Sequence, residues 1–118
     1  MTTKTNLWIY RTNLGSSLNA RDIVGYDVHA TDGDIGKIDD ASTDTSRQYL
    51  VVDTGFWIFG KKRMIPAGVV TSVDHDDKTV SVAMSKDQIK SAPDFDKDDW
   101  NDDSRSQHTD YYTPYSER

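Results

Sequence analysis

Apolar positions recur at short, strand-like spacings through the middle of the chain, most clearly over residues 48–73, QYLVVDTGFWIFGKKRMIPAGVVTSV. Tyr49, Leu50, Val51 and Val52 form an unbroken apolar run, too short for a core helix, which predicts a strand buried on both faces. Gly55 and Gly60 bracket Phe56, Trp57, Ile58 and Phe59, and two glycines around four bulky residues predict a hairpin connection. Lys61, Lys62 and Arg63 follow, and Met64 and Ile65 resume the apolar pattern. Pro66 cannot donate to a ladder and belongs at a strand end or edge, while Gly68 lets the chain turn into residues 69–73. Three antiparallel strands are expected over this stretch.

Upstream, Tyr26, Val28 and Ala30 fall on one face with Asp27 and His29 on the other. Thr31-Asp32-Gly33-Asp34 supplies a hairpin turn in which Asp-Gly meets the positive φ angles, and Gly36 fits a bulge in the returning strand over residues 35–42. Residues 44–47 turn the chain into the central strand. Downstream, the polar turn of Asp74, His75, Asp76, Asp77 and Lys78 leads to Val80, Val82 and Met84 at period two. Ser85 and Gln88 then have capping-box spacing, Asp87 lies in the first turn, and Pro93 stops a short helix that Ile89 would pin to the body. Before all this, residues 7–10 could add an edge strand or cover one end, and a short helical turn is expected near residues 17–22. About six strands in about 60 residues predict a mainly β fold, a small antiparallel barrel with one short C-terminal helix. Its expected core is Val28, Ile35, Ile38, Leu50, Val52, Ile65, Val80 and Val82. The division expected is an N-terminal arm over 1–21, a domain over 22–93, and an acidic, disordered tail over 94–118.

Composition adds three things. The 118 residues leave room for one domain, and no cysteine occurs, which removes disulfides and thiolate chemistry and suits a reducing compartment. No long apolar stretch or signal-peptide pattern is present, so a soluble protein of the cytoplasm, without membrane insertion, is expected. The net charge of −6 sits almost wholly in the tail: residues 1–93 carry −1 and residues 94–118 carry −5. Nearly all the acids are Asp, with Glu117 the one Glu, which favours turns over surface helices and supports the β reading.

The candidate chemistry is sparse. His29, His75 and His108 stand far apart in sequence and in no ligand motif. Asp94, Asp96 and Asp98 imitate the start of an EF-hand loop, but Asp99 replaces the required Gly and Arg105 the bidentate Glu. Asp74, Asp76 and Asp77 are ordinary turn residues, and neither a nucleophile elbow nor a phosphate-binding loop occurs. No enzyme activity, cofactor or metal is therefore expected. Phe56, Trp57, Ile58 and Phe59, followed by Lys61, Lys62 and Arg63, are the candidate partner-binding residues. The aromatics either plug an open barrel end or form a docking surface, and the three cations could meet RNA phosphates, against which the acidic balance argues.

Several of these stretches together resemble the PRC-barrel family, the module of the photosynthetic reaction-centre H subunit and of a ribosome maturation factor. They are Gly25-Tyr26-Asp27-Val28, residues 32–38 (DGDIGKI), residues 48–55 (QYLVVDTG), Ile65-Pro66-Ala67, and the closing residues 86–93 (KDQIKSAP). The resemblance covers about residues 22–96 and is similar in extent to the small stand-alone bacterial members. It implies a PRC-type β-barrel and a non-catalytic interaction or assembly role. The partner would be a protein or a second copy in a homodimer, with an RNA- or ribosome-associated adaptor as the alternative.

Overall fold

The structure, a computed structural model, describes residues 7–10, 20–42, 47–55, 62–93, 95 and 101–116. Six strands form one sheet: β1 (Asp27–Ala30), β2 (Gly33–Ala41), β3 (Tyr49–Asp53), β4 (Lys62–Pro66), β5 (Val70–Asp74) and β6 (Thr79–Val82), in the spatial order β4-β3-β2-β1-β6-β5. Two helices follow, α1 (Lys86–Lys90) and α2 (Asp102–Ser116). The turn expected over residues 44–47 lies outside the described residues except for Arg47, and so does most of the expected N-terminal arm over 1–21. Residues 7–10 form no strand; they cover the start of β3, where Gln48 N donates to the Trp8 carbonyl at 2.8 Å and Gly68 N to that of Leu7 at 2.7 Å. Residues 17–19 of the helical turn expected near 17–22 lie outside the described residues; the described part is a turn of 3₁₀ helix, Ala20–Ile23, that buries Ile23.

The sheet curls without closing. β4 and β5 are its two edges, yet only Ala67–Val69, a turn of 3₁₀ helix, separates them in sequence. Four Cα steps span at most about 15 Å, whereas five strand spacings in a flat sheet would part the edges by about 24 Å. The sheet must therefore roll so that its edges approach. No ladder joins β4 to β5 among the described residues, so the sheet is rolled but hydrogen bonds do not close it there into the barrel expected from sequence.

The expectation of wholly antiparallel pairing is also corrected: β1 and β6 are parallel, Val28 opposite Val80. The cause is the corner at residues 66–69. Pro66 ends edge strand β4, as its missing N–H requires, but the chain rounds the corner without reversing. β5 consequently runs in the same sense as β4, and the β5–β6 hairpin brings β6 alongside β1 in the same sense.

Bulges assist the curl. The register slips at Ile35, where Val28 faces Gly36 and His29 faces Asp34, and again at Asp39 and Thr71. The first is the bulge expected at Gly36, whose φ is +144° and whose missing Cβ would lie 2.0 Å from the Asp53 carbonyl oxygen. The hairpin before it is set one residue earlier than expected. Thr31 and Asp32 form the turn, and Gly33 already pairs with Ala30.

All eight expected core residues are buried inside the roll, joined by Ile23, Val69, Val70, Met84 and Ile89. β3 is buried on both faces for a visible reason. Leu50 and Val52 point into the core, while on the outer face the Tyr49 ring meets Trp8 at 6.5 Å and Phe95 at 6.1 Å. Val51 and its partner Met64 share that outer face and are likewise buried.

The tail reading is corrected over residues 102–116. α2 places Tyr112 wholly within the core, with His108 and Ser116 buried beside it at a spacing of four. Its start is capped by Asn101, whose Oδ1 accepts from Ser104 N at 2.9 Å, and Asp102 and Asp103 sit in the electropositive first turn.

Candidate functional site

The candidate residues hang from the β3–β4 ladder, whose last pair is Asp53 with Lys62. Phe56, Trp57, Ile58, Phe59 and Lys61 lie outside the described residues. At the near side of the connection Thr54 is buried and Gly55 is exposed, with φ +67° and open space where a Cβ would stand. The Gly55 amide donates to Asp53 Oδ1 at 2.9 Å, a short local turn that starts the connection.

Of the basic triplet, the two described members, Lys62 and Arg63, point to opposite faces of β4. Arg63 is directly opposite Val52, so the pleat points it to the inner face along with Ile65 and Leu50. It is 4% exposed; Nε donates to the Ile89 carbonyl at 3.1 Å and a terminal nitrogen to that of Lys90 at 3.0 Å. Arg63 thus caps the C-terminal end of α1, where carbonyls without helical partners favour a cation. Its expected place among exposed partner-binding residues is corrected: a buried guanidinium held by two carbonyls does not meet an external phosphate. Lys62 is outward-facing and donates to Asp39, the residue extruded by the second bulge. That hydrogen bond, reinforced by the charges of Asp39, Asp53 and Asp40, raises the Lys62 pKa. The root of the loop is accordingly an acidic collar around one paired lysine.

At the same end of the roll, α1 crosses the opening. Its first amide, Lys86 N, takes Asp32 Oδ1 at the tip of the β1–β2 hairpin at 2.8 Å, and Thr31 N donates to the Met84 carbonyl at 2.9 Å. The expected capping box is present: Gln88 N donates to Ser85 Oγ at 3.2 Å and Ser85 N to Gln88 Oε1 at 2.8 Å. Ile89 is fully buried and Arg63 ties the far end of the helix to β4. This opening is therefore stopped by Met84 and Ile89.

The remaining polar groups are engaged separately. His29 Nε2 lies 2.7 Å from Asp34 Oδ1, and His75 Nδ1 lies 2.9 Å from the Tyr26 hydroxyl. Asp74 Oδ1 accepts from the amides of Asp76 and Asp77 at 3.0 and 3.1 Å, the turn chemistry expected of that stretch. Among the described residues no group of three or more potential metal ligands comes together. Asp94, Asp96, Asp98 and Asp99 lie outside the described residues, and Arg105 is engaged with Asp102 at 3.0 Å.

Sequence reasoning missed the set that α2 brings to α1 and β4: His108, Tyr111 and Tyr112. The Tyr111 hydroxyl donates to the Gln88 carbonyl, and His108 stacks on Tyr112 with ring centroids 6.1 Å apart. Burial lowers the His108 pKa; Arg63 pushes the same way, while carbonyls of Ser104 and Pro93 oppose. The signal available in the sequence was the cap, Asn101 before Asp102 and Asp103.

Residues 16–89 match the PRC-barrel domain family. No curated protein matches the chain. Among solved structures, a protein from Pseudomonas aeruginosa described as a 16S ribosomal RNA processing protein, RimM, superposes with a TM-score of 0.50 and 18% identity. The match covers 65% of this chain and 49% of that one, so this chain spans about half of that protein, and at that identity the likeness concerns the fold. Among the described residues no helix is long and apolar enough to cross a membrane.

Proposed function

This chain belongs to the PRC-barrel family, and on that premise we propose that it is a non-catalytic interaction or assembly module. It docks on a protein partner, a second copy included, through the loop that carries Phe56, Trp57, Ile58 and Phe59. The observation that supports this reading is the occupied opening beside the loop's root. Ile89 and Met84 already fill the end that the aromatics would otherwise plug, and Gly55 starts the connection exposed to solvent. Three aromatics and an isoleucine exceed what an eight-residue connection needs for its own folding, and Trp is enriched where interfaces concentrate their binding energy.

No reaction is assigned. The three histidines have separate local roles, and a turnover of the purified protein abolished by one substitution would overturn the non-catalytic reading. The described cations do not favour an RNA-associated role, because Arg63 is buried and Lys62 sits among Asp39, Asp40 and Asp53. Salt separates the two: phosphate contacts weaken steeply with ionic strength and an apolar dock does not.

Trp57→Asp provides the direct test. If the loop docks, the variant keeps the wild-type melting temperature to within a few degrees and loses association in sedimentation velocity, alone or with a captured partner. If the loop is a plug, the buried charge lowers stability by about 3 kcal/mol or more, and the reading fails.

A further inference from the structure

α2 sits on the corner between the two edge strands of the roll. It packs on the 3₁₀ turn Ala67–Val69 between the two edge strands, bonds α1 through Tyr111, and inserts Tyr112 into the core. Its buried side is built unlike an ordinary helix face. His108, Tyr112 and Ser116 stand where aliphatic side chains would normally anchor a helix, and Tyr112 Oη is buried with no partner among the described residues. Ser, Thr, Asp, His and an internal Pro114 give the segment little tendency to stay helical once off its seat.

We propose that α2 is a latch over the β4–β5 seam that lets go when His108 takes up a proton. The groups around the ring decide the sign. From its own helix, the Ser104 carbonyl lies 2.7 Å from Nδ1, Tyr112 stacks on the ring, Tyr111 is a helical neighbour, and Arg105 is committed to Asp102. From β4 comes the positive charge of Arg63, and from the segment after α1 the Pro93 carbonyl. The 3₁₀ turn offers Ala67, Gly68 and Val69, none of which titrates. Among the described residues no carboxylate is one of the groups acting on the ring. A proton on His108 would put a second cation beside buried Arg63 in a space closed to water, and desolvation and like charge outweigh the two carbonyls. Released, the helix would bare Ala67, Gly68 and Val69 and the slot of Tyr112. The device is independent of the aromatic loop.

Amide hydrogen exchange by NMR on the full chain at pH 7.5 and 5.5, corrected for intrinsic exchange, tests this. With an ordinary His value of 6.5 in the released helix and a ring that stays neutral when seated, protection across α2 falls about tenfold, while β2 and β3 keep theirs. His108→Phe should abolish that fall. Should the larger ring leave α2 unprotected at both pH values, His108→Gln is read in its place. An unchanged wild type, or the same fall in a neutral variant, overturns the latch. So does a wild-type His108 ring titration with its midpoint at or above 6.5, a readout that needs no variant.

Discussion

Arg63 shares the inner face of β4 with Ile65, and its neighbours across the ladder are Val52 and Leu50. A guanidinium is tolerated there because α1 ends within reach and presents the carbonyls of Ile89 and Lys90. Arg63→Met keeps much of the apolar stem but leaves both acceptors without their charged donor, and should cost about 2 to 3 kcal/mol in urea unfolding. In sequence Arg63 stands beside Lys61 and Lys62, and three adjacent cations read as a patch. Yet period two from Ile65, a core residue already legible, places residue 63 inward and 62 outward. Gly36 was legible as a bulge, but its necessity was not, since the oxygen it must clear belongs to Asp53, 17 positions away. Gly36→Ala would press a methyl into that carbonyl at an unfavourable φ. A loss of about 3 kcal/mol or more, read from thermal melts, is expected.

At the scale of elements, α1 and α2 show what makes a helix readable. α1 is only five residues long, but Ser85, Gln88, Ile89 and Pro93 each carry a local signal, and the capping box formed as expected. α2 is three times as long but looks in sequence like a loose acidic tail, because its buried positions are His108, Tyr112 and Ser116 and no aliphatic stripe marks its inner face. The six strands were legible because their inner positions are Val, Ile and Leu. The parallel β1–β6 pair was not, since it depends on whether the corner at residues 66–69 reverses the chain, and Pro66 and Gly68 are compatible with either outcome. The seat of α2 gives a test at this level. Tyr112→Phe removes a buried hydroxyl that has no partner among the described residues, and it should raise stability by roughly 1 kcal/mol. Denaturant midpoints of the two proteins decide it, and a loss of similar size would mean that the hydroxyl is satisfied.

The whole molecule is a rolled sheet held shut by the segments at its joins, Leu7 to Tyr10 at the start of β3 and α2 along the seam. Each brings in a tyrosine whose hydroxyl is buried without a partner among the described residues. Burial pushes the Tyr10 phenol from 10.0 up to about 12 and that of Tyr112 further in the same direction. A raised phenol pKa means that the fold holds a proton which the unfolded chain gives up. The contribution is therefore complete below pH 10, the unfolded value, and is lost progressively as pH rises toward and through the folded one. Tyr10 alone loses about 2 kcal/mol by pH 12, and Tyr112 adds a loss of the same sign, a substantial part of the stability of many small domains. The protein should accordingly unfold cooperatively between about pH 11 and 12, with both joins opening together. Tyr10→Phe and Tyr112→Phe should each move the midpoint of that transition upward, by circular dichroism, and the double variant further than either. Midpoints that stay where the wild type has them would show that the alkaline limit is set elsewhere, by exposed ion pairs such as Lys62 with Asp39 losing their charge.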